Sequence, residues 1–178
     1  MKRAVRAFFA VALVPIGVLW AAPAGAKDPR IPLDVLDQDP NTPGVQIVFP
    51  AGEYCDFPAY LTITRNKEYI IHQTLEDGTT TLQVAGSLKV TVTNAATGES
   101  VPYNISGPGT YVFYPSGAFS LDVTGHNLLW TTRENSFPDV PTLNYTTGHV
   151  TVEVDASGQT TSYNLEGRST DVCAVLAS

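Results

Sequence analysis

Three histidines, a scatter of acids and two cysteines are the residues through which this chain could do chemistry. His72, His126 and His149 could ligate a metal or act as general bases. However, no H-E-x-x-H and no close histidine pair occurs to bring two imidazoles to one ion. His149 stands on the polar side of an alternating run and His126 beside a turn, so exposed histidines without a metal are expected. The cluster Asp37-Gln38-Asp39-Pro40-Asn41 offers the first three ligand positions of a calcium loop. Thr42 then stands where the sharp-turn glycine belongs, and Val48 where the bidentate glutamate belongs. A solvated acidic segment is the better reading, and neither metal nor cofactor is assigned.

Nucleophilic catalysis finds no support, since no serine sits in a G-x-S-x-G elbow. A carboxylate pair for glycoside hydrolysis needs only closeness in space. Asp122 and Glu153, on outward positions of different strands, are the candidates, although outward acids normally serve solubility. Cys55 and Cys173 lack neighbouring ligands or bases, and their even number in an exported chain predicts one disulfide. Threonines at T-x-T spacing (Thr62/Thr64, Thr79/Thr81, Thr91/Thr93) could make a ligand-binding face. Threonine is also an ordinary exposed strand residue, and no fixed repeat supports the former. The sequons at Asn104 and Asn144 would matter only in a glycosylating host.

Binding chemistry concentrates in the irregular stretch 133–142, flanked by Trp130 and Tyr145. Trp130 and Phe137 could supply apolar contact area and Arg133 a charge-assisted hydrogen bond, as binding loops often do. The plainer alternative is that Trp130 and Phe137 plug one end of the fold. Tyr54 and Phe57, beside Cys55, face the same choice.

The elements that must position these groups begin after a leader. Residues 1–26 read as a signal peptide: basic Lys2, Arg3 and Arg6, an apolar run from Ala7 to Ala22, then Ala24-Gly25-Ala26. The run is short of the roughly 20 residues a membrane-spanning helix needs. Extracellular location, with no membrane attachment after cleavage, is expected. Residues 27–44 are a lead-in broken by Pro29, Pro32, Pro40 and Pro43, and 45–178 form one domain of ordinary size. The formal net charge is −7, and loss of a leader that is basic and free of acids makes it more negative. Nucleic acid is therefore excluded as a partner.

Beyond Val45 the pattern is all-β. Leu88, Val90 and Val92 alternate with Lys89, Thr91 and Thr93; Phe119, Leu121 and Val123 with Ser120, Asp122 and Thr124; Val150, Val152 and Val154 with His149, Thr151 and Glu153. Further strands are expected at 45–49, 60–64, 68–74, 79–84, 101–105, 110–114, 127–131 and 160–165. Turn signals at 76–78, 96–98, 106–109, 115–117 and 156–158 imply antiparallel neighbours. So many strands predict an antiparallel meander closed into a barrel or a two-sheet sandwich. A short C-terminal helical turn, capped by Ser169 or Thr170, would present Val172, Val175 and Leu176 on one face.

The segment from Val90 through Thr93-Asn94-Ala95-Ala96-Thr97-Gly98 to Ser100, the Ser106-Gly107-Pro108-Gly109 turn, Cys55-Asp56-Phe57-Pro58 and the closing Gly167 with Asp171-Val172-Cys173-Ala174 and Leu176 resemble a group of uncharacterised secreted actinobacterial β proteins. The resemblance spans nearly the whole chain beyond the leader and implies secretion and a β fold. Its motifs are turn glycines and a disulfide, so it brings no chemistry. The expected function is an extracellular binding or interaction module for a protein or polysaccharide. The alternatives are a secreted hydrolase using the carboxylate pair and a structural surface protein. The lack of local catalytic motifs weighs against an enzyme.

Overall fold

The alternating runs do become strands, but longer ones than their sequence boundaries imply. A computed structural model describes residues 31–32 and 41–178; the leader, most of the lead-in and the acids at 37–39 lie outside the described residues. The strands are β1 (Ile31–Pro32), β2 (Ile47–Phe49), β3 (Ala59–Thr74), β4 (Thr80–Asn94), β5 (Ser100–Asn104), β6 (Gly109–Phe113), β7 (Phe119–Trp130), β8 (Leu143–Val154) and β9 (Thr160–Asp171), followed by helix α1 (Val172–Leu176). All pairings are antiparallel, in the order β1-β3-β4-β6-β7-β8-β9, with β2 on β3 and β5 on β4. The result is a single curled sheet, a half-barrel, and the all-β antiparallel expectation holds.

Three pairs of expected short strands are each one continuous strand. Positions 60–64 and 68–74 merge in β3, 79–84 and 88–93 in β4, and 119–124 and 127–131 in β7. What reads as a break is a bulge or a bend. In β3 the bulge falls between Ile63 and Arg65 and leaves Thr64 unopposed; in β9 Thr161 is left over in the same way. Each extra threonine turns its hydroxyl to the facing strand, Thr64 to Lys89 O (3.1 Å) and Thr161 to Glu153 O (3.3 Å). A bulge reverses the side-chain parity, so Leu61 and Ile63 lie on the same face as Ile70 despite their odd and even numbers.

The bends are made by glycine. Gly125, Gly148 and Gly167 stand opposite one another across β7, β8 and β9. Gly107, in the β5–β6 link, lies against Gly125, and Gly86 continues the row on β4. At Gly148 and Gly167 an added Cβ would come 2.2 Å from Glu166 O and 1.9 Å from Thr147 O. The backbones therefore approach as only glycine allows.

This row divides the sheet. On one side Leu121, Val123, Val150, Val152 and Val154 form one core; on the other Leu128 and Leu143 join a second core with Phe49, Leu61, Val90, Val92, Val172 and Leu176. In the uninterrupted β7–β8 register, Val123 pairs with Val150 but Trp130 pairs with Leu143, so the two cores lie on opposite faces of one ribbon. β4 serves both halves, pairing with β6 through residues 80–84 and with β5 through 89–93 along the same edge.

The chain ends are fastened together. Cys55 and Cys173, 118 positions apart, form the expected disulfide with a Cα–Cα distance of 5.4 Å, well inside the usual span. The terminal helix has a different cap from the one expected. The β8–β9 ladder runs to Asp171, so Ser169 and Thr170 are still strand. Asp171 itself is the cap, accepting from Ala174 N at 3.1 Å. Asn94 Nδ2 then donates to Leu176 O at 3.1 Å, satisfying a carbonyl at the helix end.

Candidate functional site: a groove on the polar face

Directly paired residues on antiparallel strands share a face, so the register identifies one cross-strand row without reference to sequence distance. Ile71, Gln83, Thr110, Asp122, Thr151 and Asn164 run in line across β3, β4, β6, β7, β8 and β9. They lie on the face opposite the Leu121–Val152 core. The neighbouring row on the same face carries Tyr69 and Ala85 at one end and Thr124, His149 and Glu166 at the other.

Between these rows lies an open groove of about 340 Å³. Tyr69 and Ile71 line one side, Pro108, Thr110, Asp122 and Thr124 the other, with Gln83, Ala85 and Gly109 between them. Ala85 is small, which leaves the surface depressed there. Among the described residues, Asp122 is the only formally charged one in the lining. His149 Nε2 lies 3.0 Å from Asp122 Oδ1, and the Asp122 side chain is 62% exposed, so the imidazole orients a carboxylate that a ligand can still reach. The Pro108 wall is fixed by Thr124 N donating to Pro108 O at 3.0 Å.

The residues expected to bind are engaged within the domain. Trp130 is half-buried and packs edge-on against Phe49, with centroids 5.8 Å apart. Phe137 is half-buried over Tyr163 at 6.5 Å. Between them is a small, almost wholly apolar pocket of about 30 Å³. Arg133 donates to Asp56, Arg133 N to Glu53 O, and the Thr142 hydroxyl to Tyr54 O. The connection 131–142 is thus tied to the Cys55 segment at both ends.

Asp122 and Glu153 do come near each other. Asp122 pairs with Thr151 and Glu153 with Ser120, which makes them diagonal neighbours on one face. Both are exposed, and Glu153 does not line the groove. Of the other histidines, His126 Nδ1 lies 2.9 Å from the Tyr145 hydroxyl, which also reaches Asn104 O at 3.2 Å; His72 is exposed. Among the described residues no group of three His, Cys, Asp or Glu is placed to hold a metal. Asn144, in the second sequon, is buried and bonded to the Tyr163 hydroxyl and to Ser169.

One buried acid had no sequence signal. Glu68 faces Gly86 on the core side of β3, and burial raises its carboxyl to about 7. Tyr111 beside it is pushed up to about 12, first by its own burial and then by the Glu68 charge. The groove residues were missed for another reason. Only Asp122 had been singled out, because four strands separated widely in sequence must pair before Tyr69, Gln83, Thr110 and Asp122 meet. No protein-family profile, curated protein or solved structure matches this chain.

Proposed function

We propose that this chain is an extracellular binding module and that its ligand lies in the groove on the polar face of the sheet. The observation that supports this reading is the groove itself: a site of about 340 Å³, within the range of small-ligand sites, lined by hydrogen-bonding groups on paired strands, of which Gln83, Asp122 and Thr124 are exposed. Strands hold such groups more rigidly than a loop would. The disulfide agrees with an oxidising compartment.

The hydrolase alternative draws less support. The general acid of a carboxylate pair is ordinarily kept protonated by burial, whereas Asp122 and Glu153 stand in the open. The purified chain should bind saturably when sedimented with insoluble extracellular polysaccharide or incubated with surface protein fractions. Absence of saturable binding to every fraction would contradict the binding role.

A further inference from the structure

Resting on that reading, we infer that the groove binds a neutral, hydroxyl-rich polysaccharide chain. The lining is the first argument. Tyr69 offers an aromatic ring for the apolar C–H face of a sugar, and Ile71 and Pro108 extend that surface. Gln83 contributes an amide that both donates and accepts, Thr110 and Thr124 contribute hydroxyls, and Asp122 contributes carboxylate oxygens that only accept. A sugar ring presents this same combination, apolar on its face and hydroxylated around its edge.

Charge narrows the class. Among the described residues the lining contains no Lys or Arg and its one charge is acidic, and the whole chain is acidic at −7. A polyanion such as a uronate or sulfated polymer, or a phosphate-bearing ligand, would meet like charge at Asp122 and no base in the described lining. Asp122 contributes usefully to a neutral ligand because His149 already holds Oδ1 at 3.0 Å, which fixes the acceptor before binding.

Shape argues for a chain rather than a small free molecule. The groove is open, and the polar row that lines it runs on across β8 and β9 through Thr151 and Asn164, with Glu166 in the neighbouring row. A polymer lying across the strands could use successive rungs. A free monosaccharide would bury little of its surface there and bind weakly.

Affinity electrophoresis of the full secreted chain through gels containing soluble β-glucan, α-glucan, mannan or arabinan tests the inference, with polygalacturonate and heparin as anionic comparisons. At least one neutral polymer should retard the protein, and neither polyanion should. Tyr69→Ala and the pair Gln83→Ala with Thr110→Ala should each weaken the retardation at least tenfold while the circular dichroism spectrum is retained. Glu99→Gln, at the distant β4–β5 turn, should leave it unchanged. Should Tyr69→Ala not fold, the Gln83/Thr110 pair alone carries the test. Retardation by no neutral polymer overturns the saccharide assignment. Saturable binding of a surface protein that the same groove variants abolish would overturn it too, while leaving the binding-module reading intact. Retardation that is indifferent to the groove variants overturns the site.

Discussion

Gly148 and Gly167 face each other across β8 and β9, and at neither position is there space for a Cβ. The pair is the tightest point of the glycine row that separates the two cores, which lie on opposite faces of the β7–β8 ribbon. Gly167→Ala places a methyl 1.9 Å from Thr147 O and Gly148→Ala places one 2.2 Å from Glu166 O, both against backbone. Each should destabilise the fold by about 2–4 kcal/mol, well beyond the roughly 1 kcal/mol range of ordinary propensity changes. Gly98→Ala, in a turn with nothing within 4 Å, should cost less. Urea unfolding of the three variants gives the comparison.

The disulfide between Cys55 and Cys173 closes nearly the whole domain. Loss of a cross-link over so long a loop removes up to about 5 kcal/mol on the chain-entropy argument. Reduction, or Cys55→Ser with Cys173→Ser, should lower the unfolding midpoint. Intact-mass analysis after alkylation should show no blocked thiol before reduction and two after it.

Glu68 should make stability fall as the solution becomes less acidic. Burial raises its carboxyl from 4.5 to about 7, so the folded chain keeps a proton that the unfolded chain has released between those values. The buried acid costs nothing below the unfolded pKa, and its penalty grows through the window until the folded group also ionises. Glu68→Gln should therefore remove this slope and raise stability at pH 8 by about 1–3 kcal/mol. Denaturant midpoints measured from pH 4 to pH 8 test both the sign and the window.

The connection 131–142 should behave as a fastening of the fold. Arg133→Ala should cost under about 1 kcal/mol, because its ion pair with Asp56 is exposed. Phe137→Ala, which uncovers Tyr163, should cost about 1–3 kcal/mol, less than a fully buried phenylalanine. Calorimetric midpoints should separate the two variants.

Strand composition, antiparallel pairing and the cysteine pair were legible because each is signalled locally or by simple parity of number. The lengths of β3, β4 and β7 were not. Gly86 and Gly125 interrupt alternation as turn glycines do, and only a cross-strand neighbour tells a bend from a break. Ser169 and Thr170 read as the cap, yet the β8–β9 ladder holds both in strand and leaves that role to Asp171. Trp130 and Phe137 were conspicuous for their aromatic rings, but their packing against Phe49 and Tyr163, which leaves each half-buried, is a tertiary fact. The groove residues are individually ordinary strand residues, and register alone assembles them.

Amide chemical-shift mapping during titration with oligosaccharides of the retarding neutral polymer tests the central claim most directly. The account predicts saturable shifts clustered on Tyr69, Gln83, Thr110, Asp122 and Thr124, with residues 131–142 little affected. Shifts centred on Trp130, Arg133 and Phe137 while the groove stays silent would contradict it.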